Sequence, residues 1–171
     1  MISRSHQPEI DAADIAERLV GITSVQLQNF YQHGPYGLHA SVQGGKVRQQ
    51  RRLFAEDDIF GIALVWQLFE CGLRSGSIVQ ALNEIARTKK PNANLAAKKL
   101  RAAKAEFLVI VCKARGPRRP PPMAVEQRVE VVKSVQLARA VKTHESANLI
   151  IVPIGSKFQD VERRLEILFP R

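Results

Sequence analysis

The sequence predicts an α+β fold, in which a mostly helical first half is followed by a small α/β module of about three strands. Apolar residues recur at helical spacing through most of the first half. Two later runs, residues 107–112 and 149–154, are dense in β-branched residues and are typical of buried strands. The chain has 171 residues and is 45% hydrophobic, which is enough to bury a core.

The first elements follow a helix-turn-helix pattern. Asp11 is predicted to cap a short helix that carries Ile15 and Leu19 on one side and ends at Gly21. Thr23 or Ser24 then caps a second helix, over residues 25–33. Two short helices joined by a tight glycine turn are the arrangement found in helix-turn-helix units.

A basic hairpin is predicted next. Residues 38–43 alternate between apolar and polar, and a Gly44-Gly45 pair supplies a turn. Residues 46–52 form the return strand, on which Lys46, Arg48 and Arg52 share one face because side chains alternate along a strand. That face carries no large apolar side chain, so we expect it to meet solvent or a partner.

Two helices complete the first half. Three acids at 56–58 favour a helix N-terminus, and the helix that follows to about residue 71 is apolar on most sides, as in a central core helix. Trp66 and Cys71 are assigned to that core. The next helix opens at Ser75 or Ser77 and ends near Arg87. We place a domain boundary at Pro91, which gives domains of residues 1–90 and 91–171.

The second half predicts the α/β module. A basic helix over residues 95–104, started by Asn92 or Asn94, precedes the strand at 107–112. Residues 115–122 form an extended cationic loop. Residues 125–135 suit a strand or a helix; we favour a strand from Val129, then a helix from Ser134 to about His144. The strand at 149–154 precedes an amphipathic C-terminal helix over 158–168.

The charge predicts a polyanionic partner. The formal net charge is +10. Residues 1–90 carry ten basic and nine acidic side chains, and residues 91–171 carry sixteen and seven. If the first half binds nucleic acid, it does so through a local cluster of cations.

The first half resembles the MerR-type winged helix-turn-helix regulators. Phe30-Tyr31, Gly37-Leu38 and Arg52-Leu53-Phe54 match motifs of that family in order, followed by the acidic helix start at 55–58. The resemblance implies a sequence-specific transcriptional regulator that binds double-stranded DNA as a homodimer in the cytoplasm, in association with the nucleoid. RNA polymerase or a small-molecule effector would be a further partner.

A DNA-binding role assigns ten candidate residues. Side chains near the start of the second helix would read base edges in the major groove, and the basic wing would contact the backbone or minor groove. Tyr31 would either donate to a phosphate or pack under the wing, and Arg18 is a further phosphate candidate. The base-reading candidates are Ser24, Gln26, Gln28 and Asn29, and the wing candidates are Lys46, Arg48, Arg51 and Arg52. Both sets would otherwise be solvent-facing.

Other functions leave weaker signatures. The sequence contains no nucleotide-binding glycine motif and no histidine pair at metal-ligand spacing, so we predict neither an enzyme nor a cofactor nor a metal site. No apolar run approaches the length of a membrane span. Three alternatives stay open: an architectural or recombination DNA-binding factor, an α/β enzyme with a winged targeting domain, and an RNA-binding module. The cationic helix around Lys98, Lys99, Arg101 and Lys104 either adds affinity for DNA or faces solvent.

Overall fold

The computed structural model describes residues 10–11, 14–32, 34–38, 53–114 and 125–170. Over these residues the protein mixes helices with two antiparallel sheets, which confirms the α+β class. The elements are β1 (Ile10–Asp11), a π-helix (Asp14–Val20), α1 (Ser24–Gln32), β2 (Leu53–Phe54), α2 (Glu56–Glu70), α3 (Ser75–Ala86), α4 (Ala93–Ala102), β3 (Phe107–Ala114), β4 (Val125–Val132), α5 (Ser134–Thr143), β5 (Asn148–Val152) and α6 (Ile154–Leu168).

Helix α2 is the central core helix, as its apolar residues on most sides predict. Residues 58–65 are all buried, because α3, α4, α6 and the π-helix pack around α2. Phe60 meets Phe158 of α6 edge-to-face, with 5.4 Å between the ring centroids. Towards its end α2 reaches the surface, where Trp66 is half-buried against the core and Phe69 is 49% exposed.

Small residues allow α4 to cross close over α2. Ala93, Ala96 and Ala97 of α4 are all buried. A Cβ atom on Gly61 of α2 would collide with the side-chain oxygen of Asn94. The Asn94 amide in turn donates to the buried carboxylate of Asp58, at 2.6 Å. The crossing therefore depends on backbones that approach without bulky side chains between them.

The second half contains the expected three-stranded sheet, in the order β4-β3-β5 with both pairs antiparallel. Ile110 stands at the centre, opposite Val129 on one side and Ile150 on the other. One face of β3, with Leu108 and Ile110, joins the main core. The other face packs against α5 in a second, smaller cluster.

The sheet also contacts the helices of the first half. Gln127 of β4 is buried. Its side-chain amide donates to the Ser77 backbone carbonyl at 2.9 Å, and its backbone carbonyl accepts from the Gln80 side-chain amide at 3.1 Å. Buried residues from Ile15 to Val161 form one cluster that includes both sides of Pro91. The division into domains at residue 90 stays a prediction, but the described residues on either side of it share a core.

Several predicted boundaries need correction. Asp11 does not cap the first helix: it lies in β1 and pairs with Leu53, 42 residues further along the chain, and the helix begins at Asp14. Strand β4 begins at residue 125, four residues before the predicted start, because the whole of β3 is available to pair with it. Residue 154 starts α6 instead of ending β5. The predicted hairpin, residues 38–52, lies outside the described residues except for Leu38.

Candidate nucleic-acid interface

Helix α1 begins with a reciprocal cap between Thr23 and Gln26. The Thr23 hydroxyl accepts from the Gln26 backbone N–H at 3.2 Å, and the Gln26 side-chain oxygen accepts from the Thr23 backbone N–H at 2.8 Å. Such a capping box satisfies amide groups that a helix end would leave unpaired. Thr23, one of the two predicted caps, is confirmed. Gln26, a predicted base reader, uses its side-chain oxygen to start the helix.

The outer face of α1 is uncharged and mostly polar. Ser24, Gln28 and Asn29 are exposed together with Val25, which is 67% exposed. These residues lie on one side of the helix because they are separated by one, three, four or five positions. Leu27, on the opposite side, is buried in the core. Three of the four predicted base-reading side chains therefore share an accessible face.

Tyr31 packs at the inner end of α1. Its ring meets the Phe54 ring edge-to-face, with 5.3 Å between centroids, and its hydroxyl oxygen is buried. Phe54 itself is 1% exposed and belongs to β2. The Tyr31 ring therefore packs against β2, while its packing under the wing and its contact with a phosphate both stay predictions, since the wing lies outside the described residues.

An aromatic cluster fixes the chain that leaves α1. The Phe30 ring contacts Tyr36 at 5.8 Å and Trp66 at 5.9 Å between centroids. The Tyr36 hydroxyl lies 3.2 Å from the Ser75 hydroxyl of α3. These contacts hold residues 34–38 against α2 and α3. Trp66 therefore has the packing role that the sequence predicts, although part of its ring reaches the surface.

The four predicted wing cations belong to a segment whose two flanks are held beside α1. Lys46, Arg48, Arg51 and Arg52 lie outside the described residues, within the segment 39–52. On one side, the Tyr36 ring contacts Phe30 of α1, and Leu38 packs against the core. On the other, Phe54 returns against Tyr31 of α1, and β2 pairs with β1. The basic segment therefore starts and ends next to the helix that carries the polar face.

Arg18 lies near the end of the π-helix and is exposed. Two cations of α6 support the carbonyl groups at this end: Arg164 donates to the Arg18 oxygen at 3.2 Å, and Lys157 donates to the Val20 oxygen at 3.1 Å. Cations are favourable at a helix C-terminus, where carbonyls lack partners. The sequence pattern did not reveal this support, because the partners are separated by 137 and 146 positions.

Two cations of α4 contact neighbouring elements of the protein. The Arg101 guanidinium lies 3.7 Å from the centre of the Phe60 ring and pairs with Glu56 and Asp57 at 3.2 Å and with Glu162 at 3.5 Å. Lys99 donates to the Ala86 carbonyl at 2.5 Å. Arg101 and Lys99 thus tie helices together; the charge of Arg101 is balanced by carboxylates, whereas Lys99 is exposed and its partner is a neutral carbonyl.

Other chemistry is sparse in the part of the chain described by the structure. Those residues contain no group of three or more histidine, cysteine, aspartate or glutamate side chains that could hold a metal ion. Burial raises the pKa of the Cys71 thiol, which packs against the core at the end of α2. None of the described helices is long and apolar enough to cross a bilayer.

Comparison with models of protein families and with curated proteins finds no match to this sequence. The resemblance to MerR-type regulators therefore stays a prediction based on the motifs themselves.

Proposed function

We propose that this protein is a sequence-specific double-stranded-DNA-binding protein that regulates transcription. The outer face of α1 enters the major groove, and the basic segment 39–52 contacts the phosphate backbone beside it. One observation carries the proposal: both flanks of the basic segment contact α1, through the Tyr36 ring on Phe30 and the Phe54 ring on Tyr31. Because these flanks lie next to α1, we expect the base-reading groups and the backbone-contacting groups to meet the same duplex.

The chemistry of α1 suits base reading. Amide side chains such as Gln28 and Asn29 pair with adenine edges through one donor and one acceptor. The helix carries no acidic residue, so no carboxylate opposes a phosphate along its length. Its N-terminus, at Ser24, has the partial positive charge that favours anions. Backbone contacts would set the position of α1, and the amides would supply sequence preference.

The regulatory part of the proposal includes a homodimer. Two copies that bind adjacent half-sites gain affinity and specificity together, which a single short helix does not provide. Selection of bound fragments from random duplex DNA is expected to return a two-fold symmetric consensus. A uniform return of all sequences would favour an architectural factor over a regulator.

The first prediction concerns the basic segment. Replacing Lys46, Arg48, Arg51 and Arg52 with Ala is expected to abolish duplex binding at physiological salt, because each lost phosphate contact removes about 0.9 from the slope of log affinity against log salt. A matched control replaces four cations of the second half and changes the net charge equally. Those control residues are Arg128, Lys133, Arg139 and Lys142, all exposed.

Fluorescence anisotropy at several salt concentrations measures both variants. Equal loss of affinity in the two variants would show that net charge alone drives binding and would contradict the proposal. A double variant, Gln28→Ala with Asn29→Ala, separates the two roles further. It is expected to lose preference for the selected consensus by about 1–3 kcal/mol per base contact while the salt slope stays unchanged.

A further inference from the structure

A run of cations without acids connects α3 to α4. Residues 85–105 contain seven Lys or Arg residues and no Asp or Glu. On α4, three of these cations have partners within the protein: Lys98 lies 3.9 Å from Asp57, Lys99 binds the Ala86 carbonyl, and Arg101 pairs with three carboxylates. All three cations of α4 therefore have a partner within the protein, although Lys98 and Lys99 are exposed.

In the described part of the chain, the three cations between α3 and α4 have no ion pair of this kind. Arg87, Lys89 and Lys90 are exposed, and within the described residues none of them has a carboxylate at ion-pair distance. The carbonyl of Ala86 at the end of α3 already accepts from Lys99, so stabilisation of that helix end does not require all three. We call residues 87–90 the basic turn.

The basic turn is held in one shape. The Arg87 backbone adopts the left-handed conformation, with φ at 55°, and its N–H bonds to carbonyls in the last turn of α3. The Thr88 hydroxyl donates to the Lys90 carbonyl at 2.8 Å. Asn92 then caps α4 by accepting from the Leu95 N–H at 2.9 Å. A fixed backbone presents its cations without a large ordering cost on binding.

The basic turn lies at the entrance to the basic segment. A Cβ atom on Gly37 would collide with the Pro91 carbonyl, which follows the turn directly. The Tyr36 carbonyl accepts from the Ala93 N–H at 3.1 Å. Residues 36–37 therefore touch the chain directly after the basic turn, at residues 91–93, and segment 39–52 begins two residues later.

We propose that the basic turn is a second contact with the phosphodiester backbone of the same DNA duplex, next to the contact made by segment 39–52. This inference rests on the proposed DNA-binding function and extends its footprint to the α3–α4 junction. Arg87, Lys89 and Lys90 contribute charge and position without reading sequence, because phosphates are the same at every base step.

The test is a triple variant, Arg87→Asn, Lys89→Gln and Lys90→Gln, in the full chain. Asn is chosen at 87 because it tolerates positive φ. The slope of log affinity against log salt is expected to fall by about 2–3, and affinity to fall by a similar factor for consensus and random duplexes. The matched control is Lys133→Gln with Arg139→Gln and Lys142→Gln, which removes the same charge from the region of α5. Circular dichroism and thermal unfolding of each variant verify that its fold is intact.

The outcomes separate the inference from the function on which it rests. A wild-type protein that binds no duplex overturns both. The inference alone is overturned if the wild type binds duplex, the variant at residues 46, 48, 51 and 52 loses that binding, and the basic-turn variant keeps the wild-type salt slope. An equal change in the α5 control, or a loss restricted to single-stranded RNA or to anionic phosphatidylserine vesicles, also overturns it.

Discussion

At the level of single residues, Asp58 shows how one carboxylate joins two helices. It is 1% exposed, accepts the Ala55 N–H at 2.9 Å to cap α2, and accepts the Asn94 amide from α4. A buried carboxylate is stable only when hydrogen-bond donors replace the water that it has lost. Asp58 was predicted only as a favourable acid at a helix start, because nothing in the sequence indicates that Asn94 would approach it.

Replacing Asp58 with Ala is expected to destabilise the fold. Each donor that loses its acceptor in the interior costs about 1–3 kcal/mol. Urea unfolding followed by circular dichroism measures the change in the free energy of unfolding. The control is Asp57→Ala, one position earlier, whose side chain is 49% exposed and whose ion pairs contribute about 0–1 kcal/mol. Equal effects at the two positions would show that Asp58 acts only through its charge at the helix start.

Glu106 has a comparable role at α5. Its carboxylate accepts from the Ser134 hydroxyl and from the Ser134 N–H, and these hydrogen bonds hold the pKa of Glu106 below its usual value. The stabilisation from these bonds is present above the pKa that Glu106 has in the unfolded chain. It is lost as the pH falls through the lower pKa of the folded state. The start of α5 is thus tied to the residue just before β3.

At the level of elements, the α2–α4 crossing depends on glycine and alanine, and this gives a test with a matched control. Gly61 faces Asn94 across the crossing, whereas a Cβ on Gly76 of α3 meets nothing within 4 Å. Gly61→Ala is expected to destabilise the protein by about 1–3 kcal/mol, because the new methyl group must displace α4. Gly76→Ala is expected to stabilise it by about 0.4–1 kcal/mol, since the unfolded chain loses freedom.

Urea titration of both variants under the same conditions decides between the two effects. Stabilisation by Gly61→Ala would mean that α4 stands further from α2 than the structure has it. Destabilisation by Gly76→Ala would mean that residue 76 is not in open space. The pair separates steric contact from helix propensity, since both substitutions place Ala within a helix.

At the level of the whole molecule, the helices of the first half and the three-stranded sheet share one core. Helix α4 contributes Ala97 and Leu100, and α6 contributes Phe158 and Val161, all to the cluster around α2. A fragment of residues 1–90 would expose the apolar surface of α2 that these helices cover. We therefore expect the full chain to unfold in a single transition, with equal calorimetric and van't Hoff enthalpies.

The same packing predicts that the fragment 1–90 lacks fixed tertiary structure. Near-ultraviolet circular dichroism of Trp66, the sole tryptophan, reports on its packing against Phe30 and Phe69. We expect that signal to vanish in the fragment and to persist in the full chain. A fragment that keeps the signal and unfolds cooperatively would instead establish residues 1–90 as an independent domain.

Local signals in the sequence were sufficient to predict most of the elements. Apolar periodicity indicated α1, α2, α3 and α6, β-branched runs indicated β3 and β5, and Thr23 and Asn92 were among the predicted caps. These signals involve neighbours within about four residues, which is the range of helical hydrogen bonds and strand alternation. The polar face of α1 follows from the same local pattern.

Contacts between distant residues could not be predicted from the sequence and are seen in the folded chain. The pairing of β1 with β2, the burial of the Tyr31 hydroxyl and the ion pairs of Arg101 all join residues far apart in the chain. The same holds for the basic turn, whose place beside residues 36–37 is visible only in the folded chain. The physical reason is that side-chain chemistry specifies what a residue can bind, whereas packing of the whole core selects the partner it reaches.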